Sequence, residues 1–137
     1  MTHPTPQAGS PPKTPWERFA SGAMGFDHRA HLQLTYEVLQ HHDAFEALPM
    51  MARELQAVAT ALGTPHKFHA TVTGLWMLVV QERMQRAPSA DFEAFLAANE
   101  DLLDAPTLQQ RYYDPATLKT ELARRIFVLP KRASTPG

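Results

Sequence analysis

The sequence predicts an all-α fold, a compact bundle of four to five helices preceded by a proline-rich tail. Three observations carry this expectation. Apolar residues recur at three- and four-residue steps over a long window, as in Phe45, Leu48, Met51, Leu55, Val58 and Leu62. Helix-start signals stand ahead of the apolar runs at Asp27, Thr64-Pro65 and Asp114-Pro115. No Asn-Gly or Asp-Gly hairpin signal occurs anywhere. At 137 residues the chain has the length of one domain.

Residues 1–15 hold Pro4, Pro6, Pro11, Pro12 and Pro15 and no large apolar side chain except Met1. Such a segment has too little apolar surface to offset its ordering entropy, so a disordered tail is expected there. Residues 16–130 form the expected helical domain, and residues 131–137 a frayed terminus.

Within the domain, Phe26 to His42 has Asp27 as N-cap and Leu32, Leu34, Tyr36, Val38 and Leu39 in helical rhythm. The next helix runs from Asp43 or Ala44 to Leu62, with Gly63 at the stop position; Pro49 in its first turns shifts the expected start toward Leu48. Thr64-Pro65 then reads as a cap followed by proline at the first helical position. The segment His66 to Arg86, with Phe68, Val72, Leu75, Trp76, Leu78, Val79 and Val80, is apolar nearly all round and is expected to be the central helix. Asp91 to Ala98 is a short helix with Phe92, Phe95 and Leu96 inward, ended by Asn99. Asp114-Pro115 opens a last helix with Leu118, Leu122 and Ile126 as its core face. Phe127 to Leu129 is too short to imply a sheet.

Composition narrows the function classes. With Lys plus Arg at 13 and Asp plus Glu at 14, the net charge of −1 makes nucleic acid a poor partner. No apolar run approaches the roughly 18–20 residues that span a bilayer, and the N-terminus shows no apolar signal region. A cytoplasmic location is the expectation. The absence of cysteine excludes disulfides, thiolate metal sites and cysteine nucleophiles. Phosphate-cradling glycine motifs, the G-x-S-x-G elbow, H-E-x-x-H and the E-x-x-H pairs of di-iron bundles are all missing. Tyr112-Tyr113 reads as half-buried packing, and Arg124-Arg125 with Lys131-Arg132 as a solvated basic end.

The histidines stand out. Among seven, two pairs have three-residue spacing, His28/His31 and His66/His69, each at an expected helix start. Residues i and i+3 on a helix lie about 60° apart around it and about 4.5 Å apart along it, so their imidazoles can converge on one ion. Two such helix starts side by side would supply three or four nitrogens to a transition metal, Zn, Fe or Cu. His28, His31 and His69 are the expected ligands, with His66 as a fourth. Asp27, Glu37, Thr73 and Glu82 are candidate acceptors for the second ring N–H. The competing reading is that each ring simply bonds a backbone or carboxylate group. His41 and His42, after a helix end, and His3 in the tail are weaker candidates.

Several segments in order, F-x-H-x-x-H-L from Phe26, K-F-H-x-T-V-T from Lys67, Phe95-Leu96-x-x-Asn99-x-x-Leu102-Leu103, Tyr112-Tyr113 and Ala123-Arg124 to Pro130, resemble a group of small uncharacterised bacterial all-α proteins with no established reaction. The resemblance covers about residues 26–130. It implies that His28, His31 and His69 matter and that His66 does not belong to the motifs. The group's pattern has a glutamate after the third histidine, K-Y-H-E-T, and Ala70 stands there in this chain; if that glutamate serves the group as ligand or base, the resemblance implies an altered or lost activity here. The functional expectation is a small helical metalloprotein, with hydrolytic or oxidative chemistry on a small organic molecule. The alternatives are a non-enzymatic interaction or accessory module, and a metal sensor or carrier.

Overall fold

The computed structural model describes residues 14–131. The tail expected over residues 1–15 and the frayed end expected over residues 131–137 lie outside the described residues, apart from Thr14, Pro15 and Lys131. The domain is a helical bundle, and no strand occurs among the described residues. Also among the described residues, no helix is long and apolar enough to cross a membrane.

Helix α1 spans Pro15–Ala20. The sequence T-P-W-E closes a capping box around its first turn. Thr14 Oγ1 accepts from the Glu17 amide, and the Glu17 carboxylate accepts from the Thr14 amide. The helix delivers one buried side chain, Phe19, against the edges of Phe26 and His31.

Helices α2 (His28–Leu39) and α3 (Ala44–Ala61) begin on the side chains of Asp27 and Asp43. Each carboxylate accepts the backbone N–H three residues on, satisfying a donor the helix cannot. Helix α2 buries Leu32, Leu34, Tyr36 and Val38, placing apolar side chains on more than one face. Helix α3 ends at Gly63, whose φ of +76° suits the left-handed turn that glycine adopts without penalty. Pro49 does not move the start of α3 to Leu48; it lies inside the helix. The carbonyl it leaves without a helical donor is that of Phe45, a residue 87 % exposed on the solvent edge of the first turns.

The central helix departs from expectation at its start. Pro65–Lys67 forms one turn of 3-10 helix, Phe68 is extended, and α4 begins at Ala70 and runs to Arg86. Thr64 makes no side-chain cap; His69 is the N-cap instead. From there α4 behaves as the middle of the bundle, packed on α2 and α3, with Leu75, Trp76, Met77, Val79 and Val80 buried.

Beyond α4 the elements are short: α5 (Phe92–Ala98), a 3-10 turn at Glu100–Leu103, α6 (Ala105–Gln110), α7 (Pro115–Leu118) and α8 (Glu121–Arg125). Asp91, Asp104 and Thr120 cap α5, α6 and α8. The single last helix expected from Asp114 is two, because Thr120 starts a new one. Its expected core face is formed only in part: Leu118 packs against the core, whereas Leu122 and Ile126 are each 49 % exposed and Ala123 is buried in their place. Phe92 and Phe95 are core residues as expected, stacked at tilted angles on Tyr36. Arg83 of α4 reaches Asn99 and clasps both oxygens of Asp101, tying α5 and the turn after it to the centre.

Candidate functional site

The four candidate histidines do not share a point. Among the described residues, no group of three or more His, Asp or Glu side chains is gathered as metal ligands would be. His66 and His69 are not an i, i+3 pair on one helix, because His66 sits in the 3-10 turn and His69 is the cap of α4. His66 is exposed, and its carbonyl accepts from Arg124.

His69 has both ring nitrogens engaged. Nδ1 accepts from the Val72 amide at 3.1 Å, and Nε2 donates to the Leu118 carbonyl at 2.7 Å. A carbonyl can only accept, so the proton sits on Nε2 and the ring is a neutral cap that also fastens α7. A metal ion at either nitrogen would displace one of these bonds.

His28 and His31, one turn apart on α2, each keep one nitrogen unspent. His28 Nε2 donates to the Leu102 carbonyl at 2.8 Å, and its ring stands edge-on to Trp76, 4.7 Å between centroids. His31 Nδ1 donates to the Asp27 carbonyl at 2.8 Å. The same argument places the protons on those nitrogens. His28 Nδ1 and His31 Nε2 have no hydrogen-bond partner among the described residues, and in the neutral form of each ring they are lone-pair acceptors. The other candidate neighbours are committed elsewhere. Asp27 caps α2, Glu37 pairs with Arg18 and Gln33, Glu82 pairs with Arg86, and Thr73 donates to the His69 carbonyl.

What the structure does bring together around these rings is a cavity. Helices α2, α3 and α4 border a partly open cavity of about 310 Å³, lined by His28, His31, Leu34, Met51, Leu55 and Trp76. Val72, Thr73 and Gln109 complete the wall, and Thr35 adds a hydroxyl from α2. A second cavity of about 310 Å³ lies toward the α3–α4 turn, bordered by Val58, Leu62, Phe68, His69 and Lys67. The two share Phe26, His31, Leu55, Val72 and Thr73. No charged side chain borders the first cavity among the described residues. Leu55 and Val58 of α3 and Val72 of α4 border the second cavity and are only partly buried.

Thr71, in the second histidine motif, is a fastener rather than part of the cavity wall. Thr71 is fully buried; its hydroxyl donates to the Ile126 carbonyl at 2.8 Å and accepts from the Val128 amide at 3.0 Å. Tyr113 donates to the Val128 carbonyl, and Lys131 N to the Tyr112 carbonyl. Burial raises the Tyr113 hydroxyl above the usual phenol range, so it stays a donor. Together these bonds strap residues 126–131 across α4.

Sequence reasoning missed Thr35 and Gln109. Thr35 stands one turn after His31, a visible signal, and donates to its carbonyl at 2.8 Å. Gln109 arrives from α6, which no periodicity announced. Comparison of the chain with family models, curated proteins and solved structures returns no match. Fold and site together define an α-helical bundle with a small, mostly apolar cavity against two imidazoles that each keep one nitrogen unspent.

Proposed function

We propose that this protein binds a small, largely apolar organic molecule in the cavity between α2, α3 and α4. The observation that supports the reading is the cavity itself. Its volume lies at the lower end of the roughly 300–1,000 Å³ typical of ligand pockets, with apolar walls and a few oriented polar atoms. Those atoms stand on helices whose starts are fixed by caps, so the site needs little ordering on binding. If the bound molecule is also turned over, His31 Nε2 is the group for proton abstraction.

A histidine-held metal is the second reading, favoured by one observation: His28 and His31 border the same cavity, each with a free nitrogen. Two nitrogens fall short of the three protein ligands usual in catalytic zinc sites, so ligand binding is preferred.

Calorimetric titration with 4-propylanisole, an apolar probe of suitable size, tests the proposal. Val72 borders both cavities, and Val72→Trp fills them from the wall. The expected result is one-to-one binding by the wild type and none by a folded Val72→Trp variant. Absence of binding to the wild type, or binding unaffected by Val72→Trp, would contradict it.

A further inference from the structure

We infer that the cavity selects a ligand whose apolar body carries an uncharged hydrogen-bond donor, a hydroxyl or N–H, and that His31 Nε2 receives it. The inference rests on the reading of the cavity as a ligand site and adds the chemistry of its occupant. The polar side chains common to both cavities are His31 and Thr73. Each has already spent its proton on the backbone. His31 Nδ1–H goes to the Asp27 carbonyl, and the Thr73 hydroxyl hydrogen goes to the His69 carbonyl at 2.7 Å. With the imidazole neutral, what each has left to offer is therefore lone-pair capacity alone. Thr35, deeper in the first cavity, has spent its hydrogen in the same way, on the His31 carbonyl.

Side-chain donors along the first cavity are the Trp76 indole and the Gln109 amide, and neither borders the second. Lys67, which borders the second cavity, is exposed, so a carboxylate there would stay in water. A donor group bound at the junction satisfies acceptors that an ether of the same shape would leave unpaired in an apolar wall. Discrimination follows mainly from that cost.

The test compares calorimetric affinities of 4-propylphenol, 4-propylanisole and 4-propylbenzoate for the full chain and two variants. The wild type is expected to bind the phenol about tenfold more tightly than the anisole. His31→Phe keeps a ring against Phe19, 5.0 Å away by centroids, but removes the acceptor; the phenol and the anisole should then bind alike. Thr73→Val, read independently, should reduce the preference several-fold. Melting curves establish that both variants fold. Equal wild-type affinity for phenol and anisole overturns this inference while leaving the cavity reading intact, as does a preference that survives both substitutions. Tightest binding by the benzoate, lost in Lys67→Ala, moves recognition to Lys67 and also overturns it. Failure of every probe to bind removes the cavity reading along with the inference.

Discussion

His69 and Leu118 are 49 residues apart in the chain and joined by one hydrogen bond of 2.7 Å, from the imidazole to the carbonyl that ends α7. The other nitrogen of the same ring caps α4. His69→Ala loses both, and the expected cost is about 2 kcal/mol, one for the cap and one for the carbonyl. Asparagine is a good N-cap but does not reach Leu118, so His69→Asn should lose about half as much. Urea unfolding of the two variants checks this; equal losses would show that the cap contributes nothing.

Gly74 lies under the ring of Phe127, where an added β-carbon would stand 2.4 Å from Cδ2. Alanine improves a helix interior by up to about 1 kcal/mol, but this overlap must be relieved by moving the strap at residues 126–131. Gly74→Ala is therefore expected to destabilise by about 1–3 kcal/mol. In a Phe127→Ala background the same change should become neutral or stabilising. A thermal-melt double-mutant cycle measures the reversal, and its absence would dissociate Gly74 from Phe127.

Arg83 holds the Asp101 carboxyl below the usual carboxylate range by a direct two-pronged contact, with Arg111 adding to the effect. A depressed folded-state value means that the unfolded chain takes up the proton first as the solution is acidified. The pair's stabilisation is thus present above the unfolded value and declines from about pH 4 downward. Asp101 is 35 % exposed, which limits the contribution to under about 1 kcal/mol. Asp101→Asn should be less stable than the wild type near neutrality, with the two converging in acid. Unfolding free energies at pH 7 and below pH 4 provide the comparison.

Zinc offers a separate check on the histidines. With His69 engaged at both nitrogens and His66 in another turn, zinc added to the untagged chain should find no stoichiometric site of micromolar affinity or better. Tight one-to-one binding by calorimetry, abolished by His28→Ala without loss of fold, would restore the metal reading.

Much of the scaffold was legible in the residues. Asp27, Asp43 and Asp91 start helices as their chemistry dictates, Gly63 stops α3, and the Phe92/Phe95 face is buried. The start of α4 was not legible, since Thr64-Pro65 carries a stronger local cap signal than His69. The His69 ring that caps α4 is itself held by the distant carbonyl of Leu118, a tertiary partner that no window contains. The split of the last helix at Thr120 and the arrival of α6 beside the cavity are tertiary in the same sense.

At the site, the three-residue spacing of His28 and His31 did put both rings on one wall of one space. The partners of their nitrogens could not be read from spacing. Those partners are backbone carbonyls, one of them 74 residues away, and they fix the tautomers on which the ligand chemistry depends.

The most direct measurement is a set of amide and methyl NMR spectra of the full chain titrated with 4-propylphenol. The account predicts saturable shifts concentrated at Val72, Thr73, Leu55, Met51 and the Trp76 indole N–H, the residues that border the first cavity. Shifts confined to exposed apolar positions such as Phe45 and Leu129, or no saturable shift at all, would contradict it.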